Sequence, residues 1–245
     1  QVAAAIGAGA FSPDIAVDGA GTVQCLTPVF DGIPDIDKMM PGKYVIVPYI
    51  FKDKYVTYAF SYTGGALIQW ATDSLAKDEK FKAKEQGIPV NEYLENEYNS
   101  KRIADLLDTD GPSGMLVLPH FAGAATPYMD TGSKGAIVGL TLDSSVAEIY
   151  RGCMEGVCYE MYINYRNVVA AGAKIKRLHA TGGGAHSTTW MQMKADVLGV
   201  PISALSTVDA GTVGSAMMTG IALSCFSDIE DAANHMIKVK QIYEP

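Results

Sequence analysis

The sequence predicts an α/β domain with a mixed central sheet flanked by helices, and three stretches carry that prediction. Residues 44–51 and 55–62 are rich in aromatic and β-branched side chains on either side of the polar turn Lys52-Asp53-Lys54, which is the composition of a β-hairpin. Residues 145–172 form a long amphipathic helix, with Val146, Ile149, Cys153, Val157 and Met161 on one stripe. Between them in type is a strand over 174–181 that feeds Gly182, Gly183 and Gly184 and then a helix over 188–198. There Trp190, Met193 and Val197 share a face with Met191, Ala195 and Leu198 beside them.

The remaining elements follow in chain order. Residues 1–6 read as the end of a helix closed by Gly7 and Gly9. Residues 18–25 alternate toward a strand, with glycines where a turn or close backbone approach is wanted. Gly21-Thr22 at a strand start can hold phosphate through N–H groups and a hydroxyl, although as bare sequence the pair reads as a turn. After the hairpin, Thr63-Gly64-Gly65 leads into a helix over 66–77 with Leu67, Trp70, Ala71 and Leu75 as its buried stripe. The charged stretch 78–107 reads as two surface helices around Gly87-Ile88-Pro89, with Tyr93, Leu94, Tyr98, Ile103 and Leu106 in helical spacing and the charges as a solvated face.

Residues 115–118 are a short strand, followed by a turn-rich loop in which His120 and Asp130 are expected to tether rather than to catalyse. A strand over 135–140 precedes the long helix, which opens on a Ser145/Glu148 capping box and closes at Gly172. Residues 201–205 are expected as the last strand, a small-residue helix runs from Asp209 to about Ser224, and 231–245 form a last helix and tail.

A strand feeding a glycine turn that opens a helix presents backbone N–H groups at the positive end of the helix dipole, with no side chains to hold off an anionic or planar ligand. Three glycines alone are also no more than a tight βα connection. The longer string Ala180-Thr181-Gly182-Gly183-Gly184-Ala185-x-Ser187-x-x-Trp190-x-Gln192-x-x-Ala195-Asp196-x-x-Gly199 is more specific. It resembles the adenosine-binding motif of the FGGY family of carbohydrate kinases, which includes xylulokinases, gluconokinases and glycerol kinases.

That resemblance implies a ribonuclease H-like (actin-like ATPase) domain spanning 1–245, with a helical insertion at about 78–112 and with the N-terminal, sugar-binding domain absent from this chain. It assigns Gly21 and Thr22 to the terminal phosphates of ATP, Gly65 and Gln69 to the nucleotide, and Gly182, Gly183, Gly184 and Ser187 to the adenosine platform. Gln1 is assigned to the sugar site. The segment from Gln1 to Gly9 resembles what directly follows the family's catalytic Asp, so that base is expected one residue before Gln1 and the isolated chain is expected to be inactive. Residues 209–216 resemble the family's element behind the adenine pocket, where packing accounts for Gly214 and Ala216 as well as ligand access does. Gly135-x-Ile137-x-Gly139-Leu140 with Arg151 and Glu155-Gly156 resembles a second family signature. One departure stands: Asp130-Thr131-Gly132-Ser133-Lys134-Gly135 has Lys where the family has Arg, which keeps a charge without the guanidinium fork.

Charge and composition remove other classes. A net charge of −8 argues against nonspecific nucleic-acid binding, which needs clustered cations. The Lys174, Lys176, Arg177 cluster is short enough to be a solvated strand entrance. No apolar run approaches the roughly 20 residues of a membrane span. Cys25, Cys153, Cys158 and Cys225 lie without Cys-x-x-Cys spacing or neighbouring histidines, and are expected as buried thiols in a reducing cytoplasm. Beginning at Gln rather than Met, the sequence is expected to continue upstream.

The function that the family resemblance implies is ATP- and Mg²⁺-dependent phosphorylation of a sugar hydroxyl, of pentulose or xylulose type, with this chain as the ATP-binding half. Its sugar contacts would come mainly from the N-terminal domain. The alternative is a non-catalytic module that holds nucleotide or dimerises; a homodimer is compatible with the sequence. An actin-like ATPase outside sugar metabolism is disfavoured by Gly65-Ala66-Leu67-x-Gln69-Trp70.

Overall fold

The computed structural model describes residues 1–245 except 106, 109, 110 and 208. A short helix α1 (Val2–Gly7) leads to strands β1 (Ile15–Ala20), β2 (Gln24–Thr27) and β3 (Val29–Asp31), the single turn α2 (Ile36–Met39), and strands β4 (Ile46–Pro48), β5 (Lys54–Thr57) and β6 (Ala59–Ser61). Three helices follow, α3 (Gly65–Ser74), α4 (Lys77–Gln86) and α5 (Val90–Ala104), then the ribbon strands β7 (Leu116–Leu118) and β8 (Ala136–Val138). The long α6 (Val146–Ala170) precedes β9 (Arg177–Thr181), α7 (Thr188–Leu198), β10 (Ile202–Leu205), α8 (Ala210–Ala222), α9 (Ile229–Met236) and β11 (Val239–Tyr243).

The central sheet has six strands in the order β11-β10-β9-β1-β2-β6, with β1, β9 and β10 parallel and the others antiparallel to their neighbours. Period-2 alternation sends Ala16, Ala20, Leu178, Ala180 and Ile202 to one face, against Met161 and Val168 of α6 and Met191, Ala195 and Leu198 of α7. Val17 and Leu205 point to the other face, against Ala5 and Ile6 of α1, Met217 of α8 and Ala232 of α9. A second cluster ties α3 and α5 to α6 through Leu67, Leu94, Tyr98, Tyr150 and Met154, so α4 and α5 ride on the domain through α5's apolar side. Leu106, expected on that side, lies outside the described residues.

Several expectations change. The stretch 18–25 is two antiparallel strands, and Gly21-Thr22 sit in the hairpin turn between them rather than at a strand start. The run 55–62 is divided: β5 pairs with β4 as the hairpin, whereas β6 pairs with β2 in the main sheet, since the chain must leave the small β3-β5-β4 sheet to place Ser61 beside Gln24. Residues 201–205 are not the last strand, because β11 adds antiparallel to β10; Lys238 and Lys240 flank or occupy this edge and leave it polar. Lys174 and Lys176 precede β9, and Lys176 pairs with Asp14 at 2.9 Å. Cys225 is exposed while the other three cysteines are buried. Among the described residues no helix is long and apolar enough to cross a membrane.

The helix α6 carries buried polar groups on its inner side, and each is satisfied. Glu155 accepts from the amide and hydroxyl of Ser113 at 2.9 and 2.8 Å, and Asn164 accepts from the Tyr44 hydroxyl at 2.8 Å. Glu160 accepts from the Ser61 hydroxyl at 2.8 Å and from His120 Nε2 at 3.1 Å. His120 Nδ1 in turn meets the Ser133 hydroxyl at 2.8 Å, so this histidine does tether its loop, through a partner 40 residues away. On the opposite face, α1 and α8 cross backbone to backbone: a Cβ at Gly214 would overlap the Ala3 carbonyl oxygen, and one at Gly7 that of Ala210. Packing, not ligand access, therefore sets Gly214, and Ala216 is exposed.

Gly214→Ala is expected to separate α1 from α8 and to destabilise the fold by about 1–3 kcal/mol in chemical denaturation, as overpacking does. A second expectation concerns pH. His179 of β9, whose Nδ1 lies 2.7 Å from the Ala8 carbonyl oxygen, is held below its ordinary 6.5 by burial, against the opposing pull of that hydrogen bond. The unfolded ring protonates first on acidification, so stability is complete above 6.5 and is lost as pH falls through the lower folded value. His179→Gln, which keeps a donor to Ala8, should flatten that part of the loss as pH falls below about 6.5 in thermal melts.

Candidate functional site

Three glycine-bearing segments meet at the end of β1. The hairpin turn after Ala20 is one; the turn from Gly182 after the parallel neighbour β9 is the second; the entry to α3 at Gly64-Gly65 is the third. Their contact is backbone on backbone. Gly182 has φ +98°, and a Cβ there would come within 2.6 Å of the Ala20 carbonyl oxygen. A Cβ at Gly64 would lie 2.8 Å from the Gln24 nitrogen, and one at Gly65 2.9 Å from the Gly21 oxygen. No side chain fits between these strands and turns.

Hydrogen bonds fix the same arrangement. Gly65 N–H donates to the Gly21 carbonyl at 2.8 Å, and Gly64 and Ala66 N–H both donate to the Thr22 carbonyl at 3.0 Å. The first amides of α3 are thus engaged by the hairpin turn, and Gly65 serves the site by close approach. Across the gap, Gly183–His186 form a single 3-10 turn, and Ser187 caps α7 by accepting from Trp190 N–H at 3.1 Å.

Above this junction lies an open cleft of about 1160 Å³. Gly21, Thr22, Gly65, Gln69, Gly182, Gly183, Gly184 and Ser187, all expected from the sequence, line this one cavity. Gln1 does not: it is exposed at the start of α1 and is not among the lining residues. Gln69 is exposed and donates to Asp73 Oδ2 at 2.8 Å, which holds its amide on the helix surface.

The wall that sequence reasoning missed comes from α5. Asn91, Glu92 and Glu95 line the cleft, with Tyr150 and Met154 of α6 and Trp190 of α7 behind them. Glu95 is anchored there, accepting from the Thr189 hydroxyl at 2.6 Å and from the Ser187 hydroxyl at 3.4 Å. The charged face of 78–107 is therefore solvated only in part. Glu95 lies one turn from Tyr98 at the border of the apolar side, and nothing local marked it as bonded to a partner 94 residues later.

The electrostatics of the cleft stand out in one respect: among the described residues no Lys or Arg lines it. The N-terminal ends of α3 and α7 face the cavity and neither carries an acidic side chain in its first turn, so the positive ends of their dipoles lie there, with the first α3 amides held by the Gly21 and Thr22 carbonyls. The starts of α5 and α8 also reach the cleft, but with Glu92 and Asp209, which place acceptors at its rim. Asp209 is held below its ordinary range by the Thr212 amide it accepts from, then by the Thr212 hydroxyl. Such a cavity suits an anion at the glycine end and hydroxyl or amino donors at the α5 rim. Among the described residues no group of three or more His, Cys, Asp or Glu side chains could cage a metal.

Comparison with known proteins follows the same outline. The profile described as "FGGY family of carbohydrate kinases, C-terminal domain" matches residues 37–223. A xylulose kinase from Staphylococcus epidermidis is 27% identical over 193 residues, covering 79% of this chain and 36% of that protein. The crystal structure of a ligand-bound xylulose kinase from Lactobacillus acidophilus superposes with a TM-score of 0.77 at 22% identity, over 99% of this chain and 45% of that one. That of Plasmodium falciparum glycerol kinase with ADP gives 0.76 at 16% identity, over 100% and 45%. The chain thus spans less than half the length of these proteins, and it shares their actin-like ATPase fold.

The cap is testable without any ligand. Ser187→Ala leaves the Trp190 amide without its acceptor, and the urea midpoint should report a loss of about 1 kcal/mol.

Proposed function

The chain belongs to the FGGY family of carbohydrate kinases, and on that premise we propose that it is the ATP-binding half of a kinase that phosphorylates a sugar hydroxyl. One observation supports the proposal: eight residues drawn from three separated segments, each assigned to nucleotide by the family resemblance, line a single cleft. Gly21 and Thr22 would face the terminal phosphates, with Gly65 and Gln69 along the nucleotide and Gly182, Gly183, Gly184 and Ser187 under adenosine. Asn91, Glu92 and Glu95 offer acceptors for ribose hydroxyls or the adenine amino group. Phosphoryl transfer needs positioning and charge neutralisation more than covalent help from the protein. With no cation lining the cleft, the helix N-termini and Mg²⁺ carried on the triphosphate would supply that neutralisation.

The relatives are xylulose and glycerol kinases, so a polyol or sugar hydroxyl is the acceptor class, and a pentulose is the narrower assignment. Gln1, the catalytic base and the sugar contacts belong to the part of this reading that requires the upstream half, as does the placement of the enzyme in a reducing cytoplasm. Residues 1–245 would form the C-terminal domain, with α4 and α5 as its helical insertion.

Calorimetry with Mg²⁺-ADP tests the reading directly. Saturable heat at one site per chain is expected, with no phosphoryl transfer to xylulose, gluconate or glycerol until the upstream half is present. Gly182→Ala, which forces a Cβ into the Ala20 carbonyl, should abolish the heat. Silence from the unaltered chain would sink the assignment, and sugar phosphorylation by it would refute the placement of the base.

A further inference from the structure

Directly beneath the cleft, three polar side chains are sealed from solvent. Lys194 of α7 and Asp18 of β1 are 0% exposed, and Gln24 of β2 is 2% exposed. Lys194 Nζ donates to Asp18 Oδ1 at 3.0 Å, to Asp18 Oδ2 at 2.8 Å and to Gln24 Oε1 at 2.8 Å, so all three ammonium protons are placed. Gln24 Nε2 donates to Asp18 Oδ1 and closes the ring. The same ammonium lies 4.8 Å from the centre of the Trp190 ring, which lines the cleft.

Burying this pair is costly, and apolar side chains of similar volume would often serve stability as well or better. Its location shows what it does instead. Ala20 pairs with Gln24 and Asp18 with Leu26, so Asp18 and Gln24 stand on the two strands that flank the Gly21–Val23 turn. Lys194 stands on the helix whose capped N-terminus forms the opposite side of the cavity. The ring therefore joins both legs of the turn to the helix across from it. Fixed donor–acceptor geometry sets that spacing, where apolar packing would tolerate sliding.

We propose that Lys194 is a positioning residue, holding the Gly21-Thr22 turn in register with the glycine turn so that phosphate and adenosine are bound in one rigid geometry. The ligand consequence rests on the nucleotide reading above; the positioning of the turn does not.

The test replaces the ion pair by apolar side chains, Asp18→Leu with Lys194→Met, a pairing expected to fold because no charge is left buried alone and only the neutral Gln24 amide loses its partners. Two measurements are made on this chain. Amide hydrogen exchange across residues 19–25 should quicken about tenfold in the double variant, while exchange in β9 and β10 stays as before. Titration with adenosine and with ADP should show adenosine affinity within about twofold and ADP affinity down about tenfold, a selective loss of the phosphate-dependent part. A single Gln24→Met variant should shift both readouts in the same direction by less.

Unchanged exchange at 19–25 overturns the proposal, as does an equal loss of both ligands, which marks a general structural role. A double variant that fails to fold overturns it too, since the ring is then a requirement of folding. If the unaltered chain binds neither ligand, the nucleotide reading falls, and the exchange measurement alone decides the positioning role.

Discussion

Everything at the functional end of this domain depends on backbone meeting backbone around Ala20 and Gly21. Two turns, one from the parallel neighbour β9 and one from the start of α3, come so near that a single methyl group at Gly182, Gly64 or Gly65 would overlap main-chain atoms. The hydrogen bonds from Gly64, Gly65 and Ala66 to the Gly21 and Thr22 carbonyls then hold α3 to the hairpin. What results is a floor without side chains and two helix N-termini above it. Among the described residues no Lys or Arg joins this lining, so the positive ends of the helix dipoles are the favourable field that an anion would meet there.

The layers of the fold exist to hold that junction. One side of the sheet is clamped by α6 and α7, and the other by α1 and α8, which cross through Gly7 and Gly214. The helix α6 does more than bury apolar surface. Its Glu155, Glu160 and Asn164 draw in Ser113, Ser61 with His120, and Tyr44, so loops far apart in the chain share one support. Burial raises Glu160 above the usual carboxylate range, against the lowering effect of the Ser61 hydroxyl and His120, as expected for a carboxyl whose only compensation is local. The buried Lys194–Asp18–Gln24 ring differs in kind, since it links the turn to α7 rather than a loop to α6.

Under the proposed function, rigidity at this end would serve positioning. A catalyst that works by positioning gains from a floor that cannot adjust, and from helix dipoles whose orientation is fixed before the ligand arrives. The α5 wall adds chemistry of a different character, with Glu95 tied to the start of α7 by Thr189 and Ser187. An acidic rim over a glycine-lined floor gives the cleft two chemically distinct ends.

How much of this was legible in the chain depended on range. Local patterns sufficed for the helix over 188–198, the capping box at Ser145 and Glu148, and the break at Gly87 to Pro89, because periodicity and caps act within a few residues, whereas the eight cleft residues were picked out by the family resemblance. Contacts across long separations were silent: the transfer of β6 to the main sheet, the addition of β11 at its edge, the partner of His120, and the Glu95 to Thr189 bond all join segments whose sequences carry no sign of each other. The sequence by itself determined which residues could stand at a ligand-binding turn, since glycine's freedom and the helix N-terminus are properties of short segments. Only the tertiary structure decided that Gln69, Thr22 and Gly183 share one cavity, that Gln1 stands outside it, and that Lys194 lies buried beneath it, because cavities and desolvated ion pairs are made by the docking of elements and by nothing within any one of them.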